Sequence, residues 1–296
     1  MSSLLQRLVL ALDMIKFEHS IFALPFALTG ALLAFREDHF ATPSPLWKLL
    51  WIVLAMVGAR SAAMTFNRIL DADIDAKNPR TSTRHLPAGL LTPRFAWAFL
   101  LITSALFLTA GRMLSPLCFY LAPVALAVVF FYSFTKRFTS LAHLVLGFAL
   151  GIAPSAAWIA VRGSFDLRML WLTAAVTLWT AGFDIIYSCQ DYDFDQREGL
   201  FSLPRRFGIG GALWISRGLH VLMVLSLSAL VIGFDLGWLA WAGVAAIVAL
   251  LLCEHSLVRA DDLSRVNAAF FTVNGYVSVL FFIFWATDIF LLRRGL

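Results

Sequence analysis

The chain has 296 residues, 60% of them hydrophobic and only 14% charged, with a formal charge of +5. Soluble domains carry about 25% charged residues, and several apolar runs here exceed the ~18 residues that mark a membrane span. This excludes a soluble helical enzyme and defines a polytopic membrane protein, in which Lys and Arg report orientation and no nucleic-acid partner is implied.

Met1 to Ile15 is mildly amphipathic, with Leu4, Leu5, Leu8, Val9 and Leu12 apolar. It lacks a small-residue cleavage site and is expected to be retained. Nine transmembrane helices are then predicted: Phe17–Phe35, Leu46–Phe66, Ala96–Leu114, Leu117–Phe134, Leu141–Val161, Met169–Tyr187, Gly211–Phe234, Leu236–Cys253 and Phe270–Leu292. With the N-terminus in the cytoplasm, fourteen Lys and Arg fall inside and seven outside, Arg60 and Arg68 being assigned to the second helix. The positive-inside rule thus predicts N-in, C-out. No linker, charge run or low-complexity segment divides residues 1–296, which read as one all-α domain. Cys118, Cys189 and Cys253 form no CxxC, and the six His form no HxxxH or HExxH, so neither a disulfide framework nor a zinc site is expected.

The second predicted helix runs out into an acidic cluster. If it continues, Asn67, Asp71 and Asp75 share one face, drifting about 40° per step, with Arg60 about two turns earlier on that face. The sixth ends in a second cluster, with Asp191 and Asp195 at i, i+4. Span parity puts both on the cytoplasmic side. Their matched positions, four spans apart, read as an internal duplication with no sequence repeat around them. Carboxylates and amides are hard oxygen ligands, and Mg²⁺ prefers one or two carboxylates plus substrate phosphate. Solvated helix-end acids are the ordinary alternative. Negative charge at a helix C-terminus is disfavoured unless a cation offsets it, and this cost, met twice, favours a metal site. Asp73 and Asp193 point elsewhere and are expected to be solvated.

Lys77, Arg80 and Arg84 occupy a loop marked by Pro79, Pro87 and Gly89. They suit phosphate oxygens or topology anchoring equally, as do Lys136 and Arg137 on the same face. Arg60 and Asp184 lie within predicted spans, where ionisable groups are costly. They either pair with each other or face substrate, with Arg60 toward an anionic group, and the second reading is preferred. Tyr187, one turn before Asp191, is placed to line the site.

These residues resemble the UbiA superfamily of intramembrane aromatic prenyltransferases. The resemblance covers nearly the whole chain. It runs from the opening Ile15-Lys16-Phe17-Glu18-His19-Ser20-Ile21-Phe22-Ala23-Leu24-Pro25, through NxxxDxxxD at Asn67, Asp71 and Asp75 and the loop Arg80–Gly89, to Tyr132…Lys136-Arg137, Gly151…Trp158 and YxxxDxxxD at Tyr187, Asp191 and Asp195. It implies nine helices around a central cavity, with Mg²⁺ held by Asn67, Asp71, Asp75, Asp191 and Asp195. Diphosphate is then met by Lys77, Arg80, Arg84, Lys136 and Arg137, and the acceptor cavity is lined by Arg60, Tyr132, Asp184 and Tyr187. Asp71, Asp191 and Arg60 are the implied catalytic residues, Asp191 being the candidate base on position. The implied substrates are a polyprenyl diphosphate, whose chain leaves into the lipid bilayer, and an aromatic quinone precursor. Members that take 4-hydroxybenzoate commonly read Gly-Ile-Lys-Ser after the second motif. This chain has Gly199-Leu200-Phe201-Ser202, more similar to members of the futalosine menaquinone route, whose acceptor is a dihydroxynaphthoate. Two other classes share part of this pattern. An ion-coupled transporter would also use intramembrane charges but does not require two Mg²⁺-type clusters, and a CDP-alcohol enzyme would need a DG-and-AR motif that is absent.

Overall fold

The computed structural model describes residues 4–15 and 23–291. In chain order its helices are α1 (Leu4–Met14), α2 (Leu24–Glu37), α3 (Pro45–Leu70), α4 (Ala72–Lys77), α5 (Pro93–Leu114), α6 (Pro116–Thr135) and α7 (Ala142–Arg162), followed by α8 (Met169–Ser188), α9 (Tyr192–Glu198), α10 (Leu203–Gly233), α11 (Trp238–Leu257) and α12 (Asn274–Leu291). A 3₁₀ turn, Cys189–Asp191, joins α8 to α9, and a π-helical turn, Ala268–Val273, leads into α12.

The fold is the all-α membrane bundle expected. Among the described residues eight helical segments are long and apolar enough to cross a membrane. The ninth expected span, Phe17–Phe35, falls partly outside the described residues, and α2 is its described part. The helix starts follow from local chemistry. Thr92-Pro93, Ser115-Pro116 and Ser202-Leu203-Pro204 each set a hydroxyl before a proline, and those hydroxyls accept from the N–H groups of Phe95, Cys118 and Arg205.

Packing centres on α8. Gly147 and Gly151, one turn apart on α7, leave room for Thr177 of α8, which a Cβ at either glycine would strike. Close approach of this small-xxx-small kind replaces the hydrophobic drive that lipid does not supply. On its other side α8 is pinned by polar contacts. Trp179 Nε1 donates to Asn274 Oδ1 at 2.7 Å, and Asn274 Nδ2 donates to Glu254 Oε1 at 2.8 Å. Interhelical bonds of this kind average ~0.6 kcal/mol, so they fix register more than they drive association. Phe26 of α2 stacks on Phe281 of α12 at 4.4 Å and tilts against Trp179 at 5.0 Å, closing the core.

Helices α3, α5, α6 and α7 diverge around an almost wholly apolar cavity of about 430 Å³. Arg60 and Tyr132 line it toward the acidic clusters, and Leu114, Cys118 and Ala160 line it toward the opposite ends of the same helices. Helix α1 lies over the cluster end: Ala11, Met14 and Ile15 pack with Leu91, and Asp13 pairs with His85 at 3.1 Å.

Candidate active site

Both acidic motifs sit where a long helix breaks into a short one. Asp71 ends α3 with φ −92° and ψ 2°, and Asp191 ends the turn after α8 with φ −96° and ψ 6°. The two sites share this bridge-region backbone. The break also corrects a sequence expectation. Helix α3 does not run straight through the cluster, and Asp75 and Asp195 lie in the first turns of α4 and α9, where a helix dipole favours negative charge. The unfavourable C-terminal placement falls on Asp71 and Asp191 alone. Asp73 and Asp193 are exposed, as expected, whereas Asp71, Asp75 and Asp195 are buried.

Asp71, Asp75 and Asp191 are each met by a cation. Lys136 Nζ reaches Asp71 Oδ2 at 2.8 Å, Arg137 donates to Asp71 Oδ1 at 3.0 Å, and Asn67 donates to Asp71 Oδ2 at 3.0 Å. Arg84 spans both oxygens of Asp75 at 2.7 and 2.8 Å. Arg80 forks onto Asp191 through Nε and a second guanidinium nitrogen and also donates to Tyr187 Oη at 3.0 Å. Burial opposes the Arg80 charge, but the bonds and charges of Asp191 and Tyr187 outweigh it and raise its pKa above the ordinary value. Asp195 is buried and makes no salt bridge with another described residue. Of the basic residues expected here, Lys77 alone turns aside, pairing with Glu198 at 3.0 Å on the exposed surface.

The two embedded charges separate. Asp184 takes His143 of α7 as its partner, Nδ1 to Oδ2 at 2.7 Å, so the structure does not contain the alternative Arg60–Asp184 pair. Arg60 lines the cavity with Tyr132. Tyr187 packs against Phe270 of the π-helical turn, ring centroids 4.2 Å apart. Sequence reading missed Asn78 and His143. Asn78 is buried and donates to Asp191 Oδ1 at 3.1 Å. Its Asn-Pro step signalled only a turn, and His143 carried no motif signal.

The donor set suits a hard divalent cation that is shared with a ligand. Each motif offers two carboxylates, and among the described residues no three His, Cys, Asp or Glu side chains converge to hold an ion alone. An ion with one or two protein carboxylates and the rest of its shell from phosphate oxygens and water is the usual Mg²⁺ arrangement.

An apolar cavity within the spanning helices, with paired acids and a girdle of cations at one end, defines a membrane-embedded site of mixed apolar and charged character. Residues 23–284 match the UbiA prenyltransferase family, and the chain belongs to that family and is a prenyltransferase. It is 32% identical over 252 residues to the 4-hydroxybenzoate octaprenyltransferase of Vibrio vulnificus, covering 83% of this chain and 88% of that one. It is 35% identical over 213 residues to the mitochondrial 4-hydroxybenzoate polyprenyltransferase of Arabidopsis thaliana, covering 70% of this chain and 51%, about half, of the plant protein. The apo structure of a UbiA homologue from Aeropyrum pernix K1 superposes with a TM-score of 0.82 at 35% identity, covering 92% of this chain and 98% of that one. A UbiA homologue from Archaeoglobus fulgidus, solved with DMAPP and Mg²⁺, shares the fold at a TM-score of 0.71 and 19% identity, covering 95% of this chain and 99% of that one.

Proposed function

We propose that the chain, acting as one domain, transfers a polyprenyl group from polyprenyl diphosphate to the ring of an aromatic quinone precursor and releases diphosphate. The observation that carries this reading is the junction of an apolar cavity, ending at Arg60 and Tyr132, with two acid motifs already ringed by Lys136, Arg137, Arg80 and Arg84. The Mg²⁺ and DMAPP of the Archaeoglobus neighbour and the oxygen donors here support Mg²⁺ as the cofactor. Asn67, Asp71 and Asp75 would hold one ion and Asp191 and Asp195 another. Bound there, Mg²⁺ supplies Lewis-acid stabilisation of the departing diphosphate.

The chain's own residues do the rest. Arg80, Arg84, Lys136 and Arg137 exchange part of their bonding from carboxylates to diphosphate oxygens as charge builds on the leaving group. Loss of one such preorganised donor typically costs ~10²–10³ in rate. The apolar wall keeps water from the allylic cation, and Arg60 faces the anionic substituent of the acceptor beside Tyr132. The N-in orientation in a bacterial inner membrane brings both water-soluble substrate groups to the cytoplasmic mouth, and the prenyl tail runs between α3, α5, α6 and α7 into lipid.

The relatives' names favour 4-hydroxybenzoate, and Phe201, where a Lys is common in members taking that acid, favours a bicyclic dihydroxynaphthoate. The test uses membranes holding the protein, Mg²⁺, a radiolabelled polyprenyl diphosphate and 4-hydroxybenzoate or 1,4-dihydroxy-6-naphthoate supplied separately, with EDTA and Asp71→Ala controls. The expected result is product from one acceptor, lost in both controls. Folded protein that gives no product from either acceptor would overturn the reading.

A further inference from the structure

The transfer leaves one chemical task unassigned: a proton must leave the acceptor. Asp191, the expected base, is poorly placed for it, because its oxygens are engaged by Arg80 and Asn78. Asp71 and Asp75 are held in the same way by Lys136, Arg137 and Arg84. A carboxylate gripped by a guanidinium or an ammonium has those lone pairs occupied. Asp184 differs. It lies on the same stripe of α8 as Tyr187 and Asp191, at i, i+3 and i+7, and 24% of its side chain remains accessible. Its partner is the imidazole of His143, 5% exposed, 2.7 Å away through Nδ1. The far nitrogen, His143 Nε2, is buried with no hydrogen-bond partner among the described residues. Such an imidazole has a single polar task, to hold the carboxylate in front of it, in the way an outer group orients a catalytic one.

We propose that Asp184 is the proton acceptor of the reaction and His143 its positioning residue, an inference that rests on the transferase reading above. In the step, the allylic C–O bond breaks and its electron pair leaves with diphosphate. The ring carbon bonds to the allylic carbon, and the proton on that ring carbon passes to the free oxygen of Asp184. The C–H pair restores aromaticity. Asp184 goes from carboxylate to carboxylic acid, with His143 still bonded to its other oxygen, and the proton then passes to water.

The test compares wild type, Asp184→Asn and His143→Gln in membranes with Mg²⁺, using acceptor either unlabelled or deuterated at the ring carbon that is prenylated. Asp184→Asn is expected to lower kcat by ~10² or more and His143→Gln by about tenfold, the usual cost of an orienting partner. KM for the prenyl diphosphate should stay within twofold in both. That unchanged KM reports an intact diphosphate site. The deuterium effect, near unity in wild type, should become a normal primary effect in both variants as proton removal turns rate-limiting, a change that a merely structural role would not produce. Unchanged kcat in Asp184→Asn, or lost kcat with the isotope effect still near unity, overturns the assignment. Absence of product from wild type with either acceptor overturns the transferase reading first, and this one with it.

Discussion

The two acid-bearing helix breaks share spacing and backbone but not support. At the first, Asp71 is 2% exposed and fastened from two directions, by Asn67 on its own helix and by Lys136 and Arg137 at the end of α6. At the second, the Asp191 side chain keeps 21% of its surface and is fastened by Arg80 and Asn78, both from the loop after the first motif. One motif is therefore built into the helical frame, and the other is completed by its counterpart's downstream loop. The pattern teaches that duplicated sequence spacing fixes where carboxylates stand, whereas the partners decide how firmly each is held and what it can be used for.

The comparison breaks hardest at Asp71. Asp71→Ala removes a proposed metal ligand and also leaves Lys136 and Arg137 side by side without their shared counter-ion. Activity is expected to fall by ~10³ or more, beyond the loss of a single oriented donor, and raising Mg²⁺ should not restore it. Asp71→Asn, which keeps the shape, separates the two causes: product formation stays lost while thermal unfolding in detergent recovers toward wild type. EDTA should abolish wild-type turnover, and added Mg²⁺ should restore it. Turnover that survives chelation would remove the metal from the account of both motifs.

Arg80 sharpens the comparison from the other side. Lysine keeps the charge but cannot reach Asp191 through two nitrogens and Tyr187 through a third. Arg80→Lys is expected to cost about 10–100-fold in kcat/KM, less than the ~10²–10³ of outright donor loss because the charge is kept, chiefly through KM for the prenyl diphosphate. Arg137→Lys, at the motif held from three positions, should cost less. Equal losses in steady-state assays would mean that the loop is as fixed as the frame.

Much of this was legible in the sequence because membrane burial leaves so few polar residues to place. Spans such as Ala142–Arg162 and Met169–Ser188 match the predicted Leu141–Val161 and Met169–Tyr187 within a residue or so at each end, since an apolar run can only be helical in lipid. The i, i+4 spacing brought Asp71 and Asp75 to one end of the bundle, and the loop cations followed from topology. The break at Asp71 was not legible, because a six-residue helix after a long one carries no periodicity of its own. The partner of Asp184 was not legible either. His143 is forty-one positions away in sequence, and only the glycine-mediated approach of α7 to α8 brings it near.

The smallest expected effect tests whether position within each cluster, rather than acidity, carries the chemistry. Asp73 and Asp193 occupy equivalent places in the two motifs, two residues after Asp71 and Asp191, and both side chains are exposed. Neither has a salt-bridge partner among the described residues, whereas Asp75, two residues further on, is 4% exposed and gripped by Arg84. Exposed charges of this kind contribute little, about 0–1 kcal/mol even when paired. Asp73→Asn and Asp193→Asn should therefore each leave kcat/KM within about twofold, less than the ~0.5 kcal/mol scatter of ordinary surface substitutions, and the double variant should behave as their product. Asp75→Asn, altering the same functional group one half-turn away, should fall by ~10² as a buried charge-assisted partner. If Asp73→Asn loses as much as Asp75→Asn, the acids act through summed negative potential at the mouth, and the face defined by Asn67, Asp71 and Asp75 has no special standing.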